Sequence, residues 1–337
     1  MKSANRLTLF RRLNMFGAVL ALCVVVLGAW VRLNAAGLGC PDWPGCYGHV
    51  SAASAQQHLD VAQQLYPERQ FEYAKASKEM QHRYFAEGLG VYIVMLAVFA
   101  FFNRRARNQP ILLPIALVAL VVVQGLLGMW TVTQLLTPLI VVLHLVGGLT
   151  TMSVLAWLGM RVTRTTRPLA ERNLRGLAVL GLLVLGVQIF LGGWASSNYA
   201  AVSCPDFPTC QNSYWPDMDS KDAFVLWRGL GIDYQGGVLD HPARVAIHFV
   251  HRLGALVTAL FLGFVSYLAW RRAQTRAVQI AGATVGLLLL VQLVLGPLMV
   301  LKGFPLALAT AHNAVAALLL LSVVRLNRTL WVPKRGI

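Results

Sequence analysis

Apolar and polar positions along this chain segregate into long blocks. Eight stretches are almost wholly apolar: 13–33, 82–102, 111–130, 138–160, 174–194, 243–269, 277–300 and 306–325. Each is long enough for an α-helix to cross the hydrocarbon of a bilayer, which takes about 20 residues. In lipid every backbone polar group must be satisfied within its own segment, so the pattern predicts an all-α polytopic membrane protein with eight transmembrane helices. The first stretch, with Arg11 and Arg12 before it and small residues after it, has some marks of a cleaved signal. Its length and its later counterpart predict a retained helix. Polar residues collect in two long loops, 34–81 and 195–242, and in two short links near Thr131–Thr137 and Leu301–Pro305.

Composition strengthens this picture. Of 337 residues, 57% are hydrophobic and only 12% charged. Soluble domains carry about 45–50% apolar and about 25% charged residues, so a disordered chain is excluded and a soluble enzyme is disfavoured. The net charge of +16 would suit nucleic acid in a soluble protein. Here the charge has a side, and no nucleic-acid partner is expected. With eight spans, one face carries Lys2, Arg6, Arg11, Arg12, Arg104, Arg105, Arg107, Arg161, Arg164, Arg167, Arg172, Arg175, Arg271, Arg272, Arg276, Arg325, Arg328, Lys334 and Arg335. These are 19 of the 29 basic residues, beside one acidic residue, Glu171. The excess of basic residues in cytoplasmic loops then predicts a multi-pass protein of a bacterial cytoplasmic (inner) membrane, with both termini in the cytoplasm.

The chain repeats itself. Leu27-Gly28-Ala29-Trp30 returns as Leu191-Gly192-Gly193-Trp194, and Cys40-Pro41-Asp42-Trp43-Pro44-Gly45-Cys46 as Cys204-Pro205-Asp206-Phe207-Pro208-Thr209-Cys210, both 164 residues on. His82-Arg83 returns as His251-Arg252 after 169 residues, and Gln124, Gly128 and His144 return as Gln292, Gly296 and His312 after 168. Order is kept and the offset drifts little, which marks a tandem duplication. The expected architecture is two pseudo-symmetric four-helix bundles, 1–162 and 163–337. Both begin on the same side, so they run parallel about an axis along the membrane normal.

Both cysteine pairs fall in the loops away from the cytoplasm, where disulfides persist. Disulfides Cys40–Cys46 and Cys204–Cys210 pinning the loops are the plain reading, and a redox-active first pair is the alternative. The spacing suits neither a thioredoxin-like nor a zinc site. Cys23, within the first span, reads as a small apolar filler.

Ionisable residues at membrane depth are costly and are functional candidates. Of eight histidines, His49, His58 and His241 lie in or beside the loops and read as solvated. His82, His144, His251 and His312 are the four matched by the repeat, one on each even-numbered span. His82 is placed at the start of its helix, and His144 about 9 Å into its own at 1.5 Å per residue, so all four belong in the outer half of the membrane. Their neighbours one turn on are small: Ala86, Gly147, Gly148, Gly254, Ala255 and Ala316. Such residues serve ordinary helix packing, and they also leave room for a flat group. Haem iron takes two axial imidazoles, and facing helices of a bundle supply them. The pattern therefore predicts two bis-histidine haem sites, His82/His144 and His251/His312. Arg83, Arg252, Arg32 and Arg244 are candidates to contact propionates, or else simply snorkel.

The halves differ at one telling place. Glu79, three residues before His82, has His248 as its counterpart. A carboxylate beside a reactive haem edge stabilises developing positive charge or moves protons. A charge at a helix start favourable to the dipole is the alternative. His248 reads as a spare ligand or a group behind the ligands.

With these residues together, the chain resembles the haem A synthase family over nearly its whole length. The resemblance rests on the eight helices in two halves, Glu79-Met80-Gln81-His82-Arg83, His144, His251-Arg252, His312 and both external cysteine pairs. It implies an oxidoreductase that converts the C8 methyl of haem O to a formyl group, giving haem A for terminal oxidases. It implies haem O held by His82 and His144 with Glu79 at the reacting methyl, and a haem b cofactor held by His251 and His312 that passes electrons. It implies a role in activity for Cys40 and Cys46. Its expected partners are haem O, the bilayer, an electron acceptor, the haem O synthase and a second copy of the chain. Three other readings compete. A quinol-linked di-haem b cytochrome would share the histidines but not need Glu79. A transporter would need polar groups lining both leaflets, and a thiol oxidoreductase would work through Cys40 and Cys46.

Overall fold

A computed structural model describes residues 3–106, 108–160 and 171–331 of the chain. Lys2, Arg107, Arg161, Arg164, Arg167, Lys334 and Arg335 lie outside the described residues, as does the expected boundary at 162/163. Among the described residues eight helices are long and apolar enough to cross a membrane. They are α1 (Ser3–Leu33), α4 (Tyr73–Phe102), α5 (Leu112–Thr133), α6 (Pro138–Gly159), α7 (Arg172–Ser197), α9 (His241–Arg272), α10 (Arg276–Leu301) and α11 (Leu306–Leu330). Short helices α2 (Ala52–Gln57) and α3 (Leu59–Leu65) fold within the first long loop, and α8 (Ser220–Ala223) within the second.

All eight expected spans are present, but several helices start earlier than their apolar stretches. α4 begins at Tyr73 rather than at 82, so His82 stands ten residues in and does not open the helix. Likewise α9 begins at His241, and His251 is its eleventh residue. Hydropathy marks where the chain meets hydrocarbon. α4 runs on by two to three turns and α9 by two residues because the loops pack against those polar stretches.

α1 packs on α4 and α6, and α5 packs on both of the latter; α10 packs on α9 and α11, and α7 joins α9 and α11. Contacts of α1 with α11, of α6 with α7 and of α6 with α11 join these groups. This arrangement is compatible with two four-helix halves. One apolar core runs through both and includes Phe10, Met152, Leu155, Leu262, Leu319 and Leu326. Small residues bring helix backbones together. A Cβ at Gly159 would lie 2.9 Å from the backbone nitrogen of Met15, and one at Gly282 would lie 3.0 Å from that of Trp270. Asn327 on α11 donates to the carbonyl of Ala178 on α7 at 2.9 Å, a buried polar tie. Outward positions such as Val91, Val98, Leu183, Val187 and Leu290 are exposed in a way that only lipid makes favourable. Cys23 is on this outward side of α1 rather than in the core.

The repeat reappears as backbone conformation. Ala35 and Tyr199 end α1 and α7 with φ of 50° and 54°. Leu136 and Phe304 do the same after α5 and α10, at 61° and 60°. These left-handed residues terminate helices by capping their last carbonyls. Asn34 and Asn198 donate to the carbonyls of Trp30 and Trp194 four residues back.

Candidate functional site

The first cysteine loop is a closed turn. Asp42 accepts from the backbone N–H groups of Tyr47 at 2.6 Å and Gly48 at 2.9 Å, and the Cys40–Cys46 disulfide closes the same turn. Asp206 repeats this with Gln211 at 2.6 Å and Asn212 at 2.9 Å, under the Cys204–Cys210 disulfide. The Thr209 hydroxyl and these two N–H groups hold the Asp206 carboxyl below the usual carboxylate range. The plain reading of both cysteine pairs as disulfides pinning the loops agrees with this geometry.

Each loop is then bolted to a helix by the arginine that follows a repeat histidine. Arg83 Nη1 donates to the carbonyls of Asp42 at 2.9 Å, Pro44 at 3.3 Å and Gly45 at 2.5 Å. Its Nη2 pairs with Glu79 Oε1 at 2.5 Å. The other oxygen of Glu79 accepts from the backbone N–H of Cys40 at 2.9 Å. Glu79 is only 5% exposed, so it is not a solvated charge at a helix start. In the second half Arg252 donates to the carbonyls of Thr209 at 2.8 Å, Asp206 at 2.9 Å and Cys204 at 3.0 Å. Its Nε donates to His248 Nε2 at 3.2 Å, where the first half has the carboxylate. The hydrogen bonds of Arg83 and Arg252 thus go to the loops, a partner set that residue type alone did not reveal.

Below the first loop lies a cavity of about 380 Å³. Glu79, His82, Arg83, Arg32 and His144 all line it. The rings of His82 and His144 meet edge-to-face with centroids 6.5 Å apart. Both Nδ1 atoms are buried without a hydrogen-bond partner. Imidazole–metal bonds are about 2 Å long, so a metal ion bound to one nitrogen of each ring fits this separation. Glycines clear the space beside the rings: a Cβ at Gly28 would lie 2.8 Å from Cε1 of His82, and one at Gly128 3.4 Å from that of His144. Most of the remaining wall is aliphatic, from Val24, Val25, Leu89, Val121 and Leu145. Two paired imidazoles in an apolar slot floored by glycine suit a planar, metal-bearing, largely apolar molecule.

The second pair is built alike. A Cβ at Gly192 would lie 3.1 Å from His251 Cε1, and one at Gly296 3.7 Å from His312 Cε1. Gln188 Nε2 lies 3.1 Å from His251 Nδ1, and Gln292 Nε2 lies 3.0 Å from His312 Nε2. The donor set and glycine cradle fit a bis-imidazole haem here as well.

The other candidates fall around these sites. Arg32 donates to the carbonyl of Ser196, its own repeat counterpart, at 2.6 Å and stacks 4.1 Å from the Tyr199 ring. Arg244 Nε and His248 Nδ1 are buried without partners. His49 and His58 stack on each other in the first loop, and His241 contacts Gln211 in the second. Sequence reasoning named no role for Gln188 or Gln124, or for Asn313, which lines the first cavity from α11. Gln124 and Gln292 were visible as a repeated pair. Gln188 had no repeat signal, only its polarity within an apolar span.

These features define a polytopic membrane protein with two histidine pairs on its spanning helices, one of them beside a buried carboxylate. Known proteins place it more narrowly. The family of cytochrome oxidase assembly proteins matches residues 11–324, and this chain belongs to that family. Heme A synthase of Shewanella oneidensis is 43% identical over 317 residues, covering 93% of this chain and 94% of that protein. Heme A synthases of Rhizorhabdus wittichii and Paracoccus denitrificans are each 27% identical, over 94% and 91% of this chain and 92% and 84% of those proteins.

Proposed function

We propose that this chain is a haem A synthase, an oxidoreductase that converts the C8 methyl group of haem O to a formyl group. The observation that carries the reading is the His82–His144 pair, rings edge-to-face in a glycine-cleared apolar cavity that the buried Glu79 also lines. Membership of the family and the full-length similarity to heme A synthases support it.

Haem O is the substrate of the first half, residues 1–162, with His82 and His144 on its iron. The farnesyl tail needs apolar surroundings, which the aliphatic walls and the bilayer supply. Turning a methyl into a formyl group with water as the oxygen donor removes four electrons, which leave to an acceptor, and releases four protons. Two carboxylates, Glu79 and Glu87, line the cavity, and Glu79 is the buried one. It sits one turn before His82 on the same face of α4, where it accepts protons from the reacting carbon's substituents. Arg83 and the Cys40 N–H orient that carboxylate, so the disulfide loop sets where it points. Arg32 stands at the cavity's rim as a propionate contact.

In the second half, residues 163–337, His251 and His312 hold a haem b, which supplies one-electron transfer when bound. Cys40–Cys46 acts by holding Glu79 in place. The basic face is cytoplasmic, the two disulfide loops lie on the far side of a bacterial inner membrane, and both termini are inside. Haem O synthase and an electron acceptor are the expected partners.

The test is to purify the protein from cells that make haem O and identify its extracted non-covalent haem by mass spectrometry. Haem A or a hydroxylated haem O beside haem B is expected, and a Glu79→Gln variant should keep haem O and lose both oxidised products. Haem B alone, with haem O available, would favour a b-type electron-transfer cytochrome. No haem would overturn the histidine assignment.

A further inference from the structure

The two histidine pairs differ in what stands behind them. Gln188 Nε2 lies 3.1 Å from His251 Nδ1 and donates to the backbone carbonyl of His251, also at 3.1 Å. In the first half, His82 Nδ1 is buried without a partner. The residue 164 positions before Gln188 is Val24, which has no polar atom to offer. Gln188 also occupies a notch made for it. A Cβ at Gly254 would come within 2.3 Å of its Oε1, so any larger residue there would expel the amide. That Oε1 is itself buried and unpartnered. A buried amide with an empty acceptor is costly where valine fills the equivalent space without cost.

A metal-bound imidazole carries its remaining proton on the nitrogen away from the metal, and that N–H normally has an acceptor. A half-turn of the amide exchanges its oxygen and nitrogen: Gln188 gives up its donation to the His251 carbonyl, and its otherwise unpartnered oxygen becomes the acceptor facing the ring. We propose that Gln188 is a positioning residue for His251. Its amide oxygen accepts the Nδ1–H of the metal-bound ring, which fixes the ring plane and strengthens it as a ligand. The absence of such a partner at His82 leaves the first site free to exchange. One site is thereby built to keep its haem and the other to take in substrate and release product. This rests on the reading of His251 and His312 as resident haem ligands.

The test uses the full-length protein from cells that lack haem O. Haem transfer to excess apomyoglobin, the haem midpoint potential and the low-spin electron paramagnetic resonance signal are measured for wild type, Gln188→Val, Gln188→Glu and His251→Ala. Gln188→Val should lose second-site haem about 10–100-fold faster, the usual cost of removing a ligand's outer partner. Its potential should rise, because a weaker imidazole donor favours the ferrous state. Gln188→Glu, a stronger acceptor, should slow the loss and lower the potential. A merely structural role would not move the two potentials in opposite directions. Unchanged loss and potential in Gln188→Val, with His251→Ala depleted of haem, would overturn the proposal alone. Unchanged haem content in His251→Ala would overturn the underlying site assignment. Should Gln188→Val fail to fold, an unchanged potential in Gln188→Glu overturns the proposal.

Discussion

The Arg83 bolt makes a quantitative demand on the first disulfide. Cys40 and Cys46 are both 0% exposed, so a reductant reaches them only when the loop opens. Arg83→Leu removes the donor to three loop carbonyls and leaves the Glu79 carboxylate, 5% exposed, without its counter-ion. Breaking a buried pair from one side costs about 3–5 kcal/mol. At about 1.4 kcal/mol per factor of ten, opening becomes about 10²–10⁴ times more frequent. Reduction by dithiothreitol in native membranes, followed by alkylation and mass spectrometry of the 40–46 peptide, reads that frequency. Arg252→Leu provides the internal comparison. It leaves an imidazole, His248, where the first half has a carboxylate, so its cost is that of unmet hydrogen bonds, about 1–3 kcal/mol, and Cys204–Cys210 should be reduced only about 10–10² times faster. The double variant Glu79→Gln with Arg83→Leu should recover much of the first loop's protection, because no buried charge is stranded. Reduction of Cys40–Cys46 in Arg83→Leu within threefold of wild type would refute the reasoning. So would a larger effect from Arg252→Leu.

Gly28→Val should push His82 off its position, since even a Cβ would lie 2.8 Å from the ring; first-site haem should fall at least about 10-fold while second-site haem stays, by haem quantitation. Asn327→Leu removes the α11–α7 tie and leaves the Ala178 carbonyl unpaired, so thermal unfolding in detergent should lose about 1–3 kcal/mol. Asp206 has a depressed folded-state value, so its stabilisation is complete above the ordinary carboxylate range and is lost as pH falls through that lower value. Proteolytic nicking near 204–213 should therefore be flat from about pH 8 to about pH 5 and rise only in stronger acid, and Asp206→Asn should nick faster already at neutral pH.

The spans and the four histidines were legible because both signals are local. A 20-residue apolar stretch has few alternatives, and a histidine within one stands out twice when the chain repeats. The helix starts were not legible. Residues 73–81 and 241–242 are polar, and polarity alone does not distinguish a loop from a helix running on into the headgroup region. The setting of Glu79 was hidden for another reason. Its partner is the backbone of Cys40, 39 residues away, and backbone groups leave no trace in residue type. Arg83 and Arg252 were legible as candidates for an anion, yet their carbonyl partners were equally invisible. Gln188 escaped notice because its meaning lies in a contrast with Val24 that appears only once the His251 ring is placed.

The wall between the two histidine sites has a consequence for how the protein can be divided. Gly192 and Gly193 line the first cavity, while the missing Cβ of Gly192 would press on His251 from the other half. Asn313, next in sequence to His312, also lines the first cavity. An α-helix with its side chains is about 10–12 Å across, but at glycine the partition thins to the backbone itself. The boundary is therefore common property: the first cavity is walled partly by α7 and α11, and His251 rests against that same strip of backbone. A chimaera joining the first half of one relative to the second half of another would inherit two mismatched faces of one partition. Substitutions along it would register at both histidine pairs at once. Duplication began with two copies of one unit, but this shared wall means that the first copy's site is completed by the second copy.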